Sequence, residues 1–327
     1  MNILVIFTGG TIGSASGKKW ISLDDSTNYT LIENYKKEGD SGVNFSVLSP
    51  YSILSENLSG EELTTLCKVV KENVKKDFDG IIVTHGTDTI QYTAAALSFA
   101  INAKDIPIVL VSANYPLEDE RTNGNANFKC AVDFIKSKKA NGVFVSYQNA
   151  LDKDVEIHHG LSVVGHAEAM DDIFSLGGNC FACVNKAGEV TVKGEKPLRF
   201  SNGLDVKFVS SPKTLMINSF PGDEFNYSLE GVKAVLIKPY HSGTLNTESK
   251  EFLSFCERAR DKGVPVFLCN VTGGKAYSSS KIYKDLSLTV LPFSSIPAIY
   301  VKIWIAVSLN KPIVEFVINE ISQEFCS

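Results

Sequence analysis

The sequence predicts a two-domain α/β protein, with a larger N-terminal α/β domain built on a parallel sheet and a smaller C-terminal α/β domain. Its 327 residues are the length of about two ordinary domains. Over the first 150 residues, short runs rich in Val and Ile alternate with segments of helical periodicity. A polar stretch with Gly and Pro, residues 186–212, separates this alternation from a second one. We therefore predict an N-terminal domain over residues 1–190, a connector over 191–212 and a C-terminal domain over 213–327.

The predicted strands of the first domain are apolar along their whole length, as expected for strands buried on both faces of a parallel sheet. They cover residues 3–8, 45–48, 80–84, 106–112 and 143–147. Ser59 and Glu62 form a capping-box pattern in front of a helix that extends to about Val74. A second helix follows Asp88 and Thr89 and runs to about residue 103. Strand–helix–strand order implies parallel pairing through right-handed crossovers.

The second domain repeats this alternation on a smaller scale. Strands are predicted at residues 214–218, 234–239 and 264–270, with helices at 247–260 and 297–309. The apolar stretch 296–309 is interrupted by Lys302 and is too short to span a membrane. We therefore expect it to form a buried helix.

Composition and charge exclude several classes of function. Hydrophobic residues make up 44% of the chain and charged residues 21%, as in a globular protein. The formal net charge of −5 provides no basic surface for nucleic acid or for an anionic membrane. The N-terminal segment has neither a basic leader nor the apolar core of a signal peptide. These features predict a cytoplasmic protein that binds neither nucleic acid nor membrane.

The seven cysteines are interpreted as reduced thiols, because their number is odd and no signal peptide is evident. Cys180 and Cys183 form a lone C-x-x-C motif. A structural zinc site of the common type needs a second such pair, and a redox motif needs a helix start, whereas this motif lies in a stretch without clear periodicity. We interpret both as small, partly buried residues and predict no metal site.

Two predicted strands end in unusual polar runs. Residues 8–13 (TGGTIG) follow the first strand, and residues 84–89 (THGTDT) follow the third and open a helix. In an open parallel sheet, ligands bind beyond the carboxyl ends of the strands, where the strand order reverses. Glycines allow the backbone to approach a ligand closely, and a helix N-terminus favours a carboxylate or a developing oxyanion.

Several familiar motifs do not fit these runs. The first is not G-x-G-x-x-G and has no following G-K-[ST], so dinucleotide and P-loop sites are excluded. The G-x-S-x-G elbow of common esterases is absent. His158 and His159 are adjacent rather than at helical ligand spacing, which argues against zinc. A single threonine after glycine is ordinarily a turn or capping residue, but two such clusters at two strand ends indicate a shared site.

The two runs resemble the signature motifs of the bacterial-type L-asparaginases, of the cytoplasmic type I-like group. Three weaker likenesses support this. Residues 28–30 resemble the family's mobile active-site loop with its tyrosine, residues 54–57 (LSEN) its substrate-binding turn, and residues 123–127 (NGNAN) its glycine-containing segment after the fourth strand. The order of the domains also matches, so the resemblance covers nearly the whole chain and makes the N-terminal domain the catalytic one.

The resemblance implies an amidohydrolase of asparagine metabolism that converts L-asparagine and water to L-aspartate and ammonia, without cofactor or metal. Thr11 would be the nucleophile, which needs activation because a threonine hydroxyl is weakly nucleophilic. Tyr29, on a closing loop, would be the activator, although it is equally the kind of aromatic residue found on ordinary surface loops. Thr87 would position a water or assist proton transfer, and Asp88 would bind the substrate α-ammonium.

The resemblance also implies the remaining substrate contacts and the assembly. Ser55 would hold the α-carboxylate with nearby backbone amides, and Gly10 would belong to the substrate-binding residues. Glu56 would either reach the ammonium or be a solvated carboxylate ahead of a helix. The family plan implies a homodimer or a homotetramer with active sites near subunit contacts.

The chain departs from the family pattern at a lysine that normally stands close to the Thr–Asp pair. By our placement Ile157 occupies its position in the segment 151–160, and Lys153 comes too early. His158 or His159 could supply a titratable group instead, or both could lie in a solvent-facing loop. Residues 113–116 (ANYP) also lack an arginine that many relatives have before the proline.

Two alternatives to L-asparagine hydrolysis follow from these departures. One is a related amidase with a different amide substrate, including the asparaginase-like subunit of a tRNA-dependent amidotransferase. The absence of an evident extra N-terminal domain and of a basic face counts against that subunit role. The other is an amino-acid-binding sensor that has lost turnover, which the missing lysine favours and the retained Thr11, Thr87 and Asp88 oppose.

Overall fold

A computed structural model describes most of the chain. The described residues are 1–10, 12, 14–16, 21–23, 27–37, 42–150, 153–166, 170–193, 198–271 and 277–325, and for 14–16, 21–23 and 27–29 the description is limited to the backbone. They form two compact units, Met1–Asp205 and Val206–Ser327. The predicted connector, residues 191–212, would begin inside a strand of the first unit, Val190–Val192, and its boundaries stay a prediction.

The first unit is built on an eight-stranded sheet. Its parallel part consists, in chain order, of β1 (Asn2–Phe7), β4 (Asn44–Leu48), β5 (Gly80–Thr84), β6 (Pro107–Val111) and β7 (Gly142–Tyr147). The spatial order of these strands is β4-β1-β5-β6-β7. The sequence predicted all five with small differences at their ends. Because β5, β6 and β7 are buried at every residue, they carry the continuous apolar runs of strands covered on both faces.

Shorter strands extend or flank this sheet. Antiparallel strands β8 (Val155–His159), β11 (Ala182–Val184) and β12 (Val190–Val192) continue it beyond β7. Two hairpins stand apart from it, one of β2 (Ser14–Ser16) with β3 (Ile21–Leu23) and one of β9 (Val163–His166) with β10 (Ile173–Ser175). The antiparallel part was not predicted, because its strands are short and lack a long apolar run.

Two expectations for this region are wrong. His158 and His159 lie in β8 rather than in a solvent-facing loop, and His158 is buried. Cys183 lies in β11, so the C-x-x-C motif ends in a paired strand rather than in an irregular stretch. Pairing with β7 on one side and β11 on the other satisfies the β8 backbone and buries its apolar face.

In the described part of this unit, the helices α1 (Thr27–Lys37), α2 (Gly60–Asn73), α3 (Ile90–Ala100) and α4 (Gly124–Ser137) accompany the sheet. The predicted capping box of α2 is confirmed, since Ser59 Oγ accepts from the Glu61 backbone at 3.2 Å and Glu62 accepts from the Ser59 backbone at 3.0 Å. Helix α3 is buried almost all round, as its alanine-rich sequence allows. The sequence analysis did not predict α4.

The second unit contains a four-stranded parallel sheet in the order β13 (Thr214–Asn218), β14 (Ala234–Lys238), β15 (Val266–Leu268) and β16 (Leu288–Val290). Its helices are α5 (Lys250–Asp261), α6 (Ile296–Ser308) and α7 (Ile313–Ile318). Buried hydrophobic residues form two clusters in this unit. The predicted fold class, a larger parallel-sheet α/β domain and a smaller α/β domain, is confirmed.

Helix α6 is the predicted buried helix around Lys302. The ammonium of Lys302 is fully buried, forms an ion pair with the equally buried Glu324, and donates to the Asn319 carbonyl at 2.6 Å. This pairing is what allows a charged residue in an otherwise apolar helix. Among the described helices, none is both long and apolar enough to cross a membrane.

Candidate active site

The described residues of both polar runs, 8–10, 12 and 84–89, lie at the topological switch point of the large sheet. The chain passes from β1 to β4 on one side of β1, and then to β5 on its other side. The carboxyl ends of β1 and β5 therefore border a crevice of the kind in which doubly wound sheets bind ligands. Parallel pairing of Phe7 with Thr84 brings the ends of the two strands level.

Glycines let three turns meet in this crevice. Gly10 has a φ of +79°, and a Cβ at this position would overlap the backbone of Gly86. A Cβ at Gly86 would in turn overlap the side chain of Ser55. Only glycine combines the left-handed backbone at residue 10 with such a close approach, and the contact with Ser55 likewise leaves no room for a side chain at Gly86.

Backbone hydrogen bonds hold the turns in this position. Gly10 N–H donates to the Ile53 carbonyl at 3.0 Å, and Ile53 N–H donates to the Thr8 carbonyl at 3.0 Å. The buried Thr8 hydroxyl donates to the Thr84 carbonyl at 2.6 Å. Residues 8–10 are therefore anchored on both the β4 side and the β5 side.

The predicted substrate residues Ser55 and Asp88 lie side by side. Ser55 Oγ donates to Asp88 Oδ2 at 3.3 Å, and Thr89 Oγ1 donates to the Ser55 carbonyl at 2.8 Å. Ser55 is buried, Thr87 half-buried and Asp88 exposed. The turn after β5 therefore presents the hydroxyl of Thr87 and the carboxylate of Asp88 to the crevice.

The other predicted site residues, Thr11, Tyr29 and Glu56, are not part of this Ser55–Asp88 contact. Thr11 lies outside the described residues, although its neighbours Gly10 and Ile12 are described and buried. Tyr29 was predicted on a loop, but its backbone lies in α1, and its side chain is outside the description. Glu56 is exposed on a short 3-10 turn and does not line the pocket described next.

A pocket of about 280 Å³ opens beside the turn after β5. It is lined mostly by polar residues: Thr87, Asp88, Gln91, Asn114, Tyr147, His166, Met170 and Asp171. Three buried atoms in this lining, Gln91 Oε1, the Tyr147 hydroxyl oxygen and His166 Nε2, have no hydrogen-bond partner among the described residues. Buried polar atoms are normally paired, so all three are suited to contact a polar ligand.

His166 is the titratable residue that the sequence analysis missed. Burial lowers the pKa of its imidazole, against the opposing effect of Asp171 and Asp88, so the ring is neutral near pH 7. The Tyr147 ring packs edge-on against it, with centroids 5.6 Å apart, and burial raises the pKa of that phenol to about 12. No local motif marks His166, because it reaches the pocket from the end of the β9 hairpin strand.

The residues expected around the missing lysine lie elsewhere. Ile157 is fully buried in the hydrophobic core of the first unit. His158 is buried with Nδ1 at 2.8 Å from Ser175 Oγ, and neither it nor His159 lines the pocket. Strand β8 is thus not the segment that faces Thr87 and Asp88, whereas β9 supplies His166.

Asparagine side chains hold the part of the pocket wall that contains Asn114. Asn114 N–H donates to Asn123 Oδ1 at 3.0 Å, and Asn123 Nδ2 donates to the Gln148 carbonyl at 2.8 Å. Asn127 Nδ2 donates to the Ser112 carbonyl at 2.8 Å, and Asn127 Oδ1 accepts from Gln148 N–H at 2.8 Å. The NGNAN segment at the start of α4 therefore ties together the ends of β6 and β7.

His85 holds the turn after β5 through hydrogen bonds of its ring. Its Nδ1 donates to the Gly86 carbonyl at 2.8 Å, and Nε2 accepts from Thr93 Oγ1 at 2.8 Å. Burial lowers the pKa of the ring to about 4, so it is neutral over most of the physiological range. Both nitrogens are occupied, which makes His85 a positioning residue for Gly86 and Thr87.

The site and fold define a class of protein. Residues 2–196 match the family model described as "Asparaginase, N-terminal", and the chain belongs to the asparaginase family. The family membership predicted from the two threonine motifs is confirmed.

Individual relatives fall into two groups. The chain is 32% identical over 229 residues to a subunit of the glutamyl-tRNA(Gln) amidotransferase of Methanosarcina mazei, covering 66% of this chain and 52% of that protein. It is 26% identical over 290 residues to an L-asparaginase of Thermococcus kodakarensis, covering 84% and 82%. The solved structure of the thermostable L-asparaginase from Thermococcus kodakarensis has the same fold, with a TM-score of 0.80 and 23% identity over 100% of both chains. The chain spans about half the length of the amidotransferase subunits it matches.

Proposed function

We propose that this chain is an amide hydrolase that converts L-asparagine and water to L-aspartate and ammonia, with Thr11 as nucleophile. The observation that carries the proposal is the pairing of Ser55 with Asp88 beside Thr87, at the switch point next to the Gly10 turn. Membership of the asparaginase family and the polar pocket beside Thr87 support it.

The chemistry proceeds in two steps. The Thr11 hydroxyl attacks the side-chain amide carbonyl, the C–N bond breaks, and ammonia leaves after taking up a proton. Water then attacks the threonyl ester, the C–O bond to Thr11 breaks, and L-aspartate is released with the threonine hydroxyl restored. Backbone N–H groups at the turn after β5 are suited to stabilise the oxyanion of each step. Tyr29 is proposed to activate Thr11.

Recognition of an amino acid is assigned to Asp88 and Ser55. The exposed carboxylate of Asp88 pairs with the substrate α-ammonium in a charge-assisted hydrogen bond. Ser55 donates to Asp88, and its hydroxyl is proposed to turn and donate to the α-carboxylate when substrate binds. Gly10 and Glu56 are retained as proposed substrate contacts, Gly10 through its backbone.

Proton transfer beside Thr87 is assigned to His166. In relatives with a lysine near the Thr–Asp pair, a cation assists this step, whereas this chain has an imidazole in the same pocket as Thr87 and Asp88. Because burial lowers its pKa, the ring is free to accept a proton at neutral pH. Thr87 would hold the water that receives or relays this proton.

A cytoplasmic location and a homodimeric or homotetrameric assembly belong to the same proposal. They are supported by the reduced-thiol interpretation of the cysteines and by the family resemblance. Light scattering of the purified protein measures the number of subunits.

The decisive experiment is ammonia release from L-asparagine, L-glutamine and a β-aspartyl amide by wild type, Thr11→Ala and Thr191→Ala. Thr191 is exposed in β12, away from the pocket, and serves as the matched control. Turnover of L-asparagine that disappears in Thr11→Ala and persists in Thr191→Ala is the expected result. Full activity of Thr11→Ala would contradict the nucleophile assignment, and tight aspartate binding without turnover in wild type would favour a sensor.

A second candidate is an amidase that releases ammonia from a different amide for transfer to an acceptor. The 32% identity to an amidotransferase subunit favours it. Preference for L-glutamine over L-asparagine in the same assay would support this candidate and overturn the first.

A further inference from the structure

Three side chains with metal-binding atoms meet at the antiparallel edge of the large sheet, away from the threonine site. A carboxylate oxygen of Glu156 and the sulfurs of Cys180 and Cys183 all lie within 4.8 Å of one another. Cys183 stands directly opposite Glu156 in the β8–β11 pair, so both side chains project from the same face. The two sulfurs are 3.5 Å apart.

These separations suit a small tetrahedral cation. With zinc–sulfur bonds of ~2.3 Å and zinc–oxygen bonds of ~2.0–2.2 Å, ligand atoms in a tetrahedron stand ~3.5–3.8 Å apart. The sulfur pair already has this spacing, and the carboxylate reaches it by a side-chain rotation. Two thiolates and one carboxylate are the borderline-soft donor set that zinc prefers over calcium or magnesium.

The charges around the cluster also fit a divalent cation. Two thiolates and one carboxylate exceed the charge of Zn²⁺ by one, and the ammonium of Lys193 stands 3.4 Å from the Cys180 sulfur to offset it. Zinc deprotonates the thiols that coordinate it.

Neighbouring side chains hold the carboxylate in place. Asn149 Nδ2 donates to Glu156 Oε2 at 3.2 Å. His158 Nε2 lies 3.7 Å from the same oxygen. This nitrogen is buried and has no hydrogen-bond partner in the described part of the chain. Outer partners of this kind orient metal ligands. The fourth position is open to a water molecule or to His158.

We propose that Glu156, Cys180 and Cys183 form a structural Zn²⁺ site that fastens β8 to the β11–β12 hairpin. Asn149 links this site to β10, because it also donates to the Ile173 carbonyl at 3.0 Å and accepts from Ile173 N–H at 2.9 Å, and Ile173 pairs with His166 of β9. The site revises the expectation that the lone C-x-x-C binds no metal. Its third ligand comes from a separate strand, which spacing along the sequence does not reveal.

Cobalt and zinc binding to the full chain in reducing buffer test the proposal. Protein treated with a chelator is titrated with Co²⁺, followed by thiolate-to-cobalt charge-transfer absorption, and with Zn²⁺ in competition with a chromophoric chelator. One ion per chain, a cobalt spectrum of two thiolates and a raised melting temperature with zinc are expected. The Cys180→Ser, Cys183→Ser double variant is expected to lose all three, while Cys256→Ala, a buried cysteine of the second unit, keeps them.

The carboxylate has its own variant and control. Glu156→Gln is expected to weaken zinc binding by at least ~10-fold, since even outer-sphere changes cost ~10–100-fold. Glu189→Gln, at the exposed turn before β12, is expected to leave the affinity unchanged.

Three results would overturn the site. Wild-type protein could show no charge-transfer band, or zinc affinity could be the same in the double serine variant. The two thiols could also form a disulfide in glutathione buffer, detected as a mass loss of two hydrogens, and then the motif is a redox pair. The cobalt spectrum of wild type shows whether the metal site exists even if a variant fails to fold. Ammonia release is measured separately, so the test of the metal site does not depend on the proposed role of Thr11.

Discussion

The hydroxyl of Ser55 donates a hydrogen bond of 3.3 Å to the carboxylate of Asp88, which joins the turn after β4 to the turn after β5. Neither residue is near the other in sequence, and both are proposed to bind the charged groups of an amino acid.

Ser55→Ala is expected to raise KM for L-asparagine with a smaller effect on kcat. Loss of a hydrogen bond to a charged group costs about 1.5–3 kcal/mol, which corresponds to about 10- to 100-fold in kcat/KM. Steady-state ammonia release measures the change. Ser52→Ala, at an exposed position of the same loop, is the control, and equal kinetics of the two variants would remove Ser55 from the substrate site.

Gly10→Ala is expected to lower the melting temperature far more than Gly178→Ala. Both glycines have similar positive φ values, +79° and +74°, so both alanine variants carry the left-handed strain of about 1–2 kcal/mol. Only at Gly10 would the new methyl group also overlap the backbone of Gly86, whereas nothing lies within 4 Å at Gly178. Similar melting temperatures would mean that the two turns do not touch.

His166→Gln is expected to reduce kcat by about 10²–10⁴-fold, the usual contribution of a general base. Wild-type activity should fall as the pH drops through the lowered pKa of the imidazole, because only the neutral ring accepts a proton. Burial lowers that pKa, and the nearby carboxylates of Asp171, Asp88 and Asp172 act in the opposite direction, while the Tyr147 ring packs against the imidazole. His241→Gln, at an exposed site in the second unit, is the control. If His166→Gln still loses activity at low pH as wild type does, the group whose protonation causes that loss is not His166.

His85 makes stability depend on pH. Its pKa is about 4 in the folded protein and 6.5 in a free side chain, so below pH 6.5 the unfolded chain binds a proton that the folded protein does not. The stabilisation is fully present above pH 6.5 and is lost between pH 6.5 and 4, by about 3 kcal/mol. Denaturant unfolding at several pH values measures it. His85→Gln should be less stable at pH 7.5 but should have a flatter profile, and an unchanged slope would contradict the neutral buried ring.

Lys302→Ala is expected to destabilise the second unit by about 3–5 kcal/mol, because Glu324 would remain as a buried, unpaired charge. The double variant Lys302→Met, Glu324→Leu should recover most of this loss, since replacing both partners removes the desolvation cost of both charges. Thermal unfolding compares the two. If the single variant is as stable as wild type, the pair is not buried in solution.

The five parallel strands were predictable because each is buried on both faces, which leaves a continuous apolar run in the sequence. Helix α2 was predictable from its capping box. Helix α4 was not, because Asn123 does not cap it locally and instead bonds to Asn114 and to the Gln148 carbonyl, which depend on the tertiary fold.

For the site, the sequence by itself determined the two turns at Gly10 and Gly86 and the candidates Thr87 and Asp88, and the family resemblance added Ser55. Glycine at a crowded turn and polar residues after an apolar strand leave local patterns. Only the tertiary structure decided that Ile157 is buried in the core, that His166 faces the pocket, and that Glu156 meets Cys180 and Cys183. These relationships depend on antiparallel pairing among β7, β8, β9, β10 and β11, whose register is set by packing between distant segments and not by any local signal.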